Sequence, residues 1–196
     1  MRDAALHPAA CAAFLVAAFA LAGICQTAWL ALPVSQRLAI PIDGGRMVRG
    51  RRLFGANKTL RGFVIMVPAT GVSFAMLAGL LGGMPAGLAG LWPVSATDYA
   101  LLGTWAGFGF MLGELPNSFV KRQLGVDPGH AANATSTRPL FLVLDRIDSI
   151  LGMLIALAIA VPIPWLTCVY VLIVGPLLHA SFSVVLFELG GKARAA

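Results

Sequence analysis

Long apolar runs alternate with short polar segments along this chain. The runs cover about residues 9–32, 62–82, 99–120, 147–163 and 165–187. A helix of about 20 apolar residues crosses a hydrocarbon core of ~30 Å. The pattern therefore predicts an all-α polytopic integral membrane protein, with five transmembrane helices in a single membrane domain that covers residues 1–196.

The first run admits a second interpretation, a cleavable signal peptide. Arg2 precedes it, and the tripeptides Ala-Phe-Ala and Ala-Leu-Ala occur within it. The uncharged stretch is longer, however, than the apolar core of about 7–15 residues that signal peptides carry. An uncleaved transmembrane helix is the favoured interpretation.

Composition supports the membrane class, since 59% of the residues are hydrophobic and only 11% are charged. This balance excludes an ordinary soluble domain. The net charge of +6 could indicate nucleic-acid binding, but the basic residues lie in the polar segments between apolar runs. Membrane topology explains that placement better, and we expect no nucleic-acid partner.

The placement of basic residues also predicts the orientation. Five transmembrane helices would put the loops 33–61 and 121–146 and the C-terminal tail on one side, together with thirteen of the fourteen Lys and Arg residues. Basic loops stay in the cytoplasm. We therefore expect an outside N-terminus, a cytoplasmic C-terminus and a location in the cell (inner) membrane.

Two carboxylates stand at the start of the fourth apolar run, in the segment Asp145-Arg146-Ile-Asp148. Their spacing of three places both on one face of a helix. Such a pair is costly at the edge of a membrane unless a cation is held there. The alternative is a helix N-terminus, where acidic side chains are favoured by the helix dipole.

Two further polar motifs fall on the same predicted side. One contains Asn57, Lys58, Thr59 and Arg61 at the start of the second run, and its alternative is a solvated loop touching anionic headgroups. The other runs from Glu114 through Ser118 to Lys121 and Arg122, which share a face if the helix continues past Pro116. A glutamate inside an apolar run needs an ion-pair partner or a metal.

Together these motifs supply oxygen ligands for Mg²⁺ beside cations that can bind a polyphosphate. Magnesium sites commonly use one or two carboxylates plus substrate phosphates. The candidate metal ligands are Asp145, Asp148 and Glu114.

The order of the motifs PID…NKTLRG, GELPNSFVKRQLG and LVLDRIDSILG resembles the CDP-archaeol synthase family, which is related to the CDP-diacylglycerol synthases. The resemblance covers about residues 40–192. It implies a CTP:lipid phosphate cytidylyltransferase, a nucleotidyltransferase of phospholipid biosynthesis, with five spans, a cytoplasmic active site, Mg²⁺ as cofactor, and CTP and a membrane lipid phosphate as substrates.

The resemblance also assigns roles to residues of this sequence. Lys121, Arg122, Asp145 and Asp148 would be catalytic, and the substrate-binding residues would be Asn57, Lys58, Thr59, Arg61 and Ser118. Arg146 joins the substrate-binding set on its charge alone, because its cation can neutralise phosphates beside the two aspartates. This chain departs from the family pattern at Gly113-Glu114, where the family typically has Gly-Asp, and in the loop 130–138 and the C-terminus. These departures bear on the acceptor lipid, which the sequence leaves open between an archaeol and a diacylglycerol type.

Two other functions remain open on the sequence. One is a non-catalytic membrane scaffold or small transporter that has kept the bundle, and Glu114 in place of aspartate favours it. The other is a lipid kinase that uses CTP as phosphate donor, which would release CDP instead of pyrophosphate. The sequence does not indicate the oligomeric state.

Overall fold

Five long helices make up most of the structure, which is a computed structural model that describes residues 5–126 and 138–188. The predicted basic tail, and part of the predicted loop 121–146, lie outside the described residues. The expected helical class is confirmed. In chain order the helices are α1 (Pro8–Ala31), α2 (Leu60–Gly82), α3 (Ala96–Gln123), α4 (Arg138–Ala160) and α5 (Trp165–Glu188).

Three of these helices have the length and apolar composition needed to cross a membrane. They are Pro8–Ala31, Leu60–Gly82 and, within α5, Trp165–Phe182. Helices α3 and α4 carry the charged side chains of the predicted site within their length. Among the five long helices, most of the charged residues therefore lie on α3 and α4.

Helix α4 begins earlier than the sequence indicated. The predicted start was 147, whereas the helix begins at Arg138, with Pro139 in its first turn. Proline suits that position because the first N–H groups of a helix have no intrahelical partner. Asp145 and Asp148 therefore lie well inside the helix, and the alternative that they stabilise a helix N-terminus is wrong.

Helix α3 is also longer than predicted. It begins at Ala96, after the capping residue Ser95, and continues through Pro116 to Gln123. The side chains of Ser95 and Asp98 cap each other's backbone N–H groups, which fixes this end of the helix. Because Pro116 does not end the helix, Glu114 and Lys121 lie on one continuous helix.

The segment between α1 and α2 is folded as well. It contains a short 3₁₀ helix, Pro33–Leu38, and a two-stranded hairpin in which β1 (Met47–Val48) pairs antiparallel with β2 (Arg51–Arg52). The hairpin turn places Arg49 and Gly50 at positive φ, of 51° and 76°, a pair typical of tight hairpin turns. Pro41 and Thr59 form an isolated bridge that closes the segment next to α2.

Helices α3 and α4 pack with their backbones in contact. The indole nitrogen of Trp105 on α3 donates a hydrogen bond of 2.7 Å to the carbonyl oxygen of Ala156 on α4. A Cβ atom added to Gly113 would lie 2.9 Å from the Cα of Gly152 and closer still to the carbonyl oxygen of Asp148. Only glycine permits this approach, which places the charged face of α3 directly against that of α4.

Candidate active site

The candidate site is built from one face of α3 and one face of α4. On α3 the side chains of Glu114, Asn117 and Lys121 recur at spacings of three and four, so they line up along the helix. On α4 the side chains of Asp145 and Asp148 lie one turn apart. The glycine contact between the two helices sets these rows facing each other.

Asn117 joins the two aspartates. Its amide nitrogen donates to Oδ1 of Asp145 at 2.7 Å and to Oδ2 of Asp148 at 2.8 Å. Both carboxylates therefore lie within hydrogen-bond distance of a single nitrogen atom. This contact holds Asp145 and Asp148 close together although both carry negative charge.

Lys121 forms an ion pair with Asp145 through both carboxylate oxygens. The Lys121 side chain is 12% exposed and that of Asp145 is 42% exposed. The ammonium group is thus inside the site, whereas the aspartate lies at its mouth. A ligand arriving from solvent would meet the Asp145 carboxylate first.

The first loop contributes Lys58, which forms an ion pair with Glu114. The other oxygen of Glu114 accepts a hydrogen bond of 2.9 Å from the Ser149 hydroxyl. Burial opposes the charge on Lys58, but the carboxylate of Glu114, followed by those of Asp148 and Asp145, outweighs burial and raises the pKa of its ammonium group. Lys58 is therefore a charged member of the site.

The charges of these five ionisable side chains do not cancel. Three carboxylates face two ammonium groups, which leaves an excess of one negative charge when all are ionised. Such a site favours a cation. The two ammonium groups are also available to an anionic substrate once the carboxylates have another counter-ion.

The loop next to the site is organised by a buried aspartate. Asp43 is 4% exposed and accepts hydrogen bonds from the Arg52 guanidinium at 2.5 Å and from the backbone N–H groups of Gly45, Phe54 and Gly55. Burial opposes its ionisation, but these hydrogen bonds prevail and lower the pKa of the carboxyl group from 3.8 to about 2. Asp43 thus fixes the loop that ends in Lys58.

The hairpin is also attached to the end of α3. The Arg51 guanidinium donates to the Gln123 carbonyl at 2.5 Å. This bond satisfies one of the carbonyl groups that a helix C-terminus leaves without an intrahelical donor. The loop therefore covers the end of the bundle at which Lys121 lies.

The structure brings together five of the predicted site residues, namely Lys58, Glu114, Lys121, Asp145 and Asp148. The others lie around them in different settings. Ser118 and Arg122 are buried on α3, and Thr59, Arg61 and Arg146 are half-buried, whereas Asn57 is exposed. The roles assigned to all of these residues stay predictions.

Three residues that hold the site together are not predicted from the sequence. Asn117 lies three residues after Glu114 and four before Lys121, so helical spacing alone would have placed it on the same face. Ser149 was overlooked because it follows the predicted ligand Asp148. Asp43 lies in the segment Pro-Ile-Asp-Gly-Gly, and nothing in the sequence indicates which residue its carboxylate would contact.

The donor set is consistent with magnesium, although it is not arranged as a finished three-carboxylate site. Among residues 5–126 and 138–188, no group of three or more His, Cys, Asp or Glu side chains is placed to hold a metal ion. Asp145 and Asp148 nevertheless supply two carboxylates beside one amide, and magnesium often takes only one or two protein carboxylates. Glu114 as a third ligand stays a prediction.

A solved structure resembles this fold over most of its length. It is described as an intramembrane enzyme for archaeal membrane-lipid biosynthesis, with a TM-score of 0.58 and 26% sequence identity, and the match covers 85% of this chain and 90% of that one. A charged site between helices of membrane type, together with this likeness, defines the class: a helical membrane protein with the fold of that enzyme.

Comparison of sequences defines the family. The family model described as CarS-like, CDP-archaeol synthase, matches residues 24–194. A CDP-archaeol synthase of Halobacterium salinarum is 35% identical over 159 residues, covering 78% of this chain and 81% of the relative. One of Methanospirillum hungatei is 31% identical over 166 residues, covering 78% and 87%.

The chain belongs to the CDP-archaeol synthase family. The resemblance identified from the sequence motifs is thereby confirmed. The expected enzyme class, a nucleotidyltransferase acting in membrane-lipid biosynthesis, is confirmed at the level of the family.

Proposed function

We propose that this chain transfers CMP from CTP to a membrane lipid phosphate and depends on Mg²⁺. The lipid phosphate oxygen forms a bond to the α-phosphorus of CTP, and the bond from that phosphorus to the bridging oxygen breaks. Pyrophosphate leaves, and a CDP-activated lipid of the archaeol or diacylglycerol type stays in the membrane. Family membership supports the nucleotidyl-transfer chemistry and the lipid class.

One observation carries this proposal. Side chains of both signs from three separated segments, the first loop, α3 and α4, meet in a single site: Lys58, Glu114, Lys121, Asp145 and Asp148. A nucleoside triphosphate with a divalent cation presents the complementary charges. Ionisable side chains inside an apolar bundle are costly and usually mark a functional site, and the presence of both signs favours a ligand that carries both.

The proposal includes the topology. All five long helices cross the membrane, the N-terminus lies outside, and the first loop and the ends of α3 and α5 lie in the cytoplasm. The basic first loop supports this orientation. The site then lies near the inner headgroup region, open to soluble CTP from one side and to a lipid phosphate from the other.

Phosphoryl-type transfer leaves little covalent work to the protein, so positioning and charge stabilisation should dominate. Lys58 and Lys121 would leave their carboxylate partners and neutralise the phosphate oxygens. Arg61, Arg122 and Arg146 would extend this positive surface, and Asn57, Thr59 and Ser118 would donate hydrogen bonds. Asp43 would position Lys58 by holding the loop that precedes it.

Asp145 and Asp148 would hold the magnesium ion, with Glu114 as the third carboxylate. When bound, this ion would neutralise charge on the triphosphate and make the α-phosphorus more open to attack. With the ion bound, the carboxylates would still have a counter-ion when Lys58 and Lys121 turn to the substrate. Ser149 keeps Glu114 oriented through its hydroxyl group.

The test is synthesis of labelled CDP-lipid by the purified protein in nanodiscs. The protein is incubated with CTP labelled at the α-phosphate, Mg²⁺ and lipid phosphates with ether-linked or ester-linked chains. We expect label in the lipid and release of pyrophosphate, and we expect Asp148→Asn to abolish both. The matched control is Asp98→Asn, which changes a carboxylate at the opposite end of α3.

The products separate this proposal from its alternatives. Release of CDP with transfer of the terminal phosphate would identify a lipid kinase. Full activity of Asp148→Asn would remove the metal assignment. A folded wild-type protein that labels no lipid with any acceptor would instead support a non-catalytic bundle.

A further inference from the structure

The amide nitrogen of Asn117 lies between the carboxylates of Asp145 and Asp148, the two proposed magnesium ligands. Its nitrogen is 2.7 Å from one carboxylate and 2.8 Å from the other. Its carbonyl oxygen Oδ1 is buried and has no hydrogen-bond partner within the part of the chain that the structure describes. The amide therefore presents its donor end to the acids and leaves its acceptor end unused.

We propose that Asn117 is a metal-responsive residue of the site, whose amide rotates when the cation binds and whose Oδ1 then becomes a ligand beside Asp145 and Asp148. In the metal-free protein the N–H groups hold the two acids together. In the loaded protein the same side chain would turn a neutral oxygen toward the cation, next to the two carboxylates. This inference rests on the proposed function, because it assigns a further residue to the proposed magnesium site.

The rotation exchanges two groups of almost equal size. The oxygen and nitrogen of an asparagine amide are related by a half-turn about the last side-chain bond, so no backbone movement is needed. A buried polar group without a partner costs about 1–3 kcal/mol. One end of the Asn117 amide lacks a partner in either orientation, so this cost nearly cancels, and the cation decides which end faces the acids.

The ligand chemistry agrees with this role. Magnesium and manganese ions take oxygen ligands, including asparagine carbonyl groups, and repel an N–H group. An asparagine that kept its nitrogen toward the acids would compete with the cation. Asn117 is also better placed than Glu114, whose two oxygens are already engaged by Lys58 and Ser149.

The experiment measures cation binding directly, without turnover. Binding of Mn²⁺ to the full-length protein in nanodiscs is followed by electron paramagnetic resonance, with and without a CTP analogue that carries a methylene group between the α- and β-phosphorus atoms. The variants are Asn117→Ala, Asn117→Asp and Asp148→Asn. Gln36→Ala is the matched control, since it removes an exposed amide from the 3₁₀ helix of the first loop. Thermal unfolding in EDTA and in Mn²⁺ is recorded for each protein.

We expect Asn117→Ala to weaken Mn²⁺ binding about tenfold or more, the range typical for loss of a group at a metal site. Asn117→Asp should bind Mn²⁺ more tightly than wild type. In EDTA the same variant should unfold at a lower temperature, because three carboxylates then face one another, and Mn²⁺ should restore its stability. Gln36→Ala should match wild type in both measurements.

The inference is overturned if Asn117→Ala lowers the unfolding temperature but keeps the Mn²⁺ affinity of wild type, because the amide would then only bridge the acids. In that case loss of binding in Asp148→Asn would leave the proposed metal site standing. If wild type itself binds no Mn²⁺ with or without the CTP analogue, the inference and the metal site of the proposed function both fail.

Discussion

Lys58 in the first loop forms an ion pair with Glu114 on α3, 56 residues away in sequence. The second oxygen of Glu114 reaches Ser149 on α4. One glutamate therefore links the loop, α3 and α4. In the sequence, Glu114 is a departure from the family pattern that favours loss of activity, whereas the structure gives this longer side chain a connecting role within the site.

We predict that Glu114→Gln destabilises the protein by about 2 kcal/mol, because it leaves the partly buried Lys58 ammonium without its counter-ion. Chemical unfolding in detergent, followed by tryptophan fluorescence, measures this loss. The double variant with Lys58→Met is the control, and it should lose less than the sum of the two single variants. If the losses of the two single variants simply add, the interaction between Lys58 and Glu114 contributes nothing to stability.

We predict that Lys121→Gln lowers kcat/KM for CTP at least 100-fold while the protein remains folded. A charged donor that stabilises developing negative charge is commonly worth that factor. The measurement is labelled-lipid synthesis at several CTP concentrations. Arg37→Gln, at an exposed position of the 3₁₀ helix, is the control and should retain wild-type activity. A loss of less than tenfold in Lys121→Gln would argue against contact with the phosphates.

We predict that Gly113→Ala disrupts the contact between α3 and α4, since the added methyl group would press against the backbone of Asp148 and Gly152. Activity should fall strongly and thermal stability should drop by about 2 kcal/mol or more. Gly79→Ala is the matched control, because a Cβ there meets no atom within 4 Å. It should be neutral or slightly stabilising in its helix. Equal behaviour of the two variants would contradict the packing argument.

Asp43 gives a prediction for pH. Its pKa is about 2 in the folded protein and 3.8 ordinarily, so its stabilising effect is present above about pH 4 and is lost as the pH falls toward 2. Protection of the Phe54 and Gly55 amides from hydrogen exchange should decline over this interval. In Asp43→Asn the protection should be low throughout. Protection that persists in that variant would show that the loop is held by other contacts.

The apolar runs were sufficient to predict the helices, because burial in lipid requires long uninterrupted apolar segments. Their ends were harder to predict. The start of α4 was placed at the acids of Asp145 and Asp148, because charged side chains usually mark the end of a membrane segment. The helix instead begins two turns earlier, at Arg138. It can include these acids because Asn117 and Lys121 of α3 supply their hydrogen bonds and counter-charge.

The candidate site was likewise only partly predictable from the sequence. Charge and spacing identified Lys121, Asp145 and Asp148, since each is costly in an apolar setting. Asn117 and Ser149 are uncharged and common, so their importance depends on what they face across the helix contact. Sequence spacing gives the face of one helix, but it does not give the partner helix or its register.

The glycine contact between α3 and α4 limits how this enzyme can diversify. Where two backbones touch, no side chain remains to be shortened, so the gap between the acids and their facing lysine cannot be tuned by substitution along that seam. The first loop has no such limit, because its hairpin is held by hydrogen bonds and Lys58 reaches Glu114 through a long side chain. Adaptation to a different lipid or nucleotide should therefore accumulate in that loop, while the helix pair stays fixed.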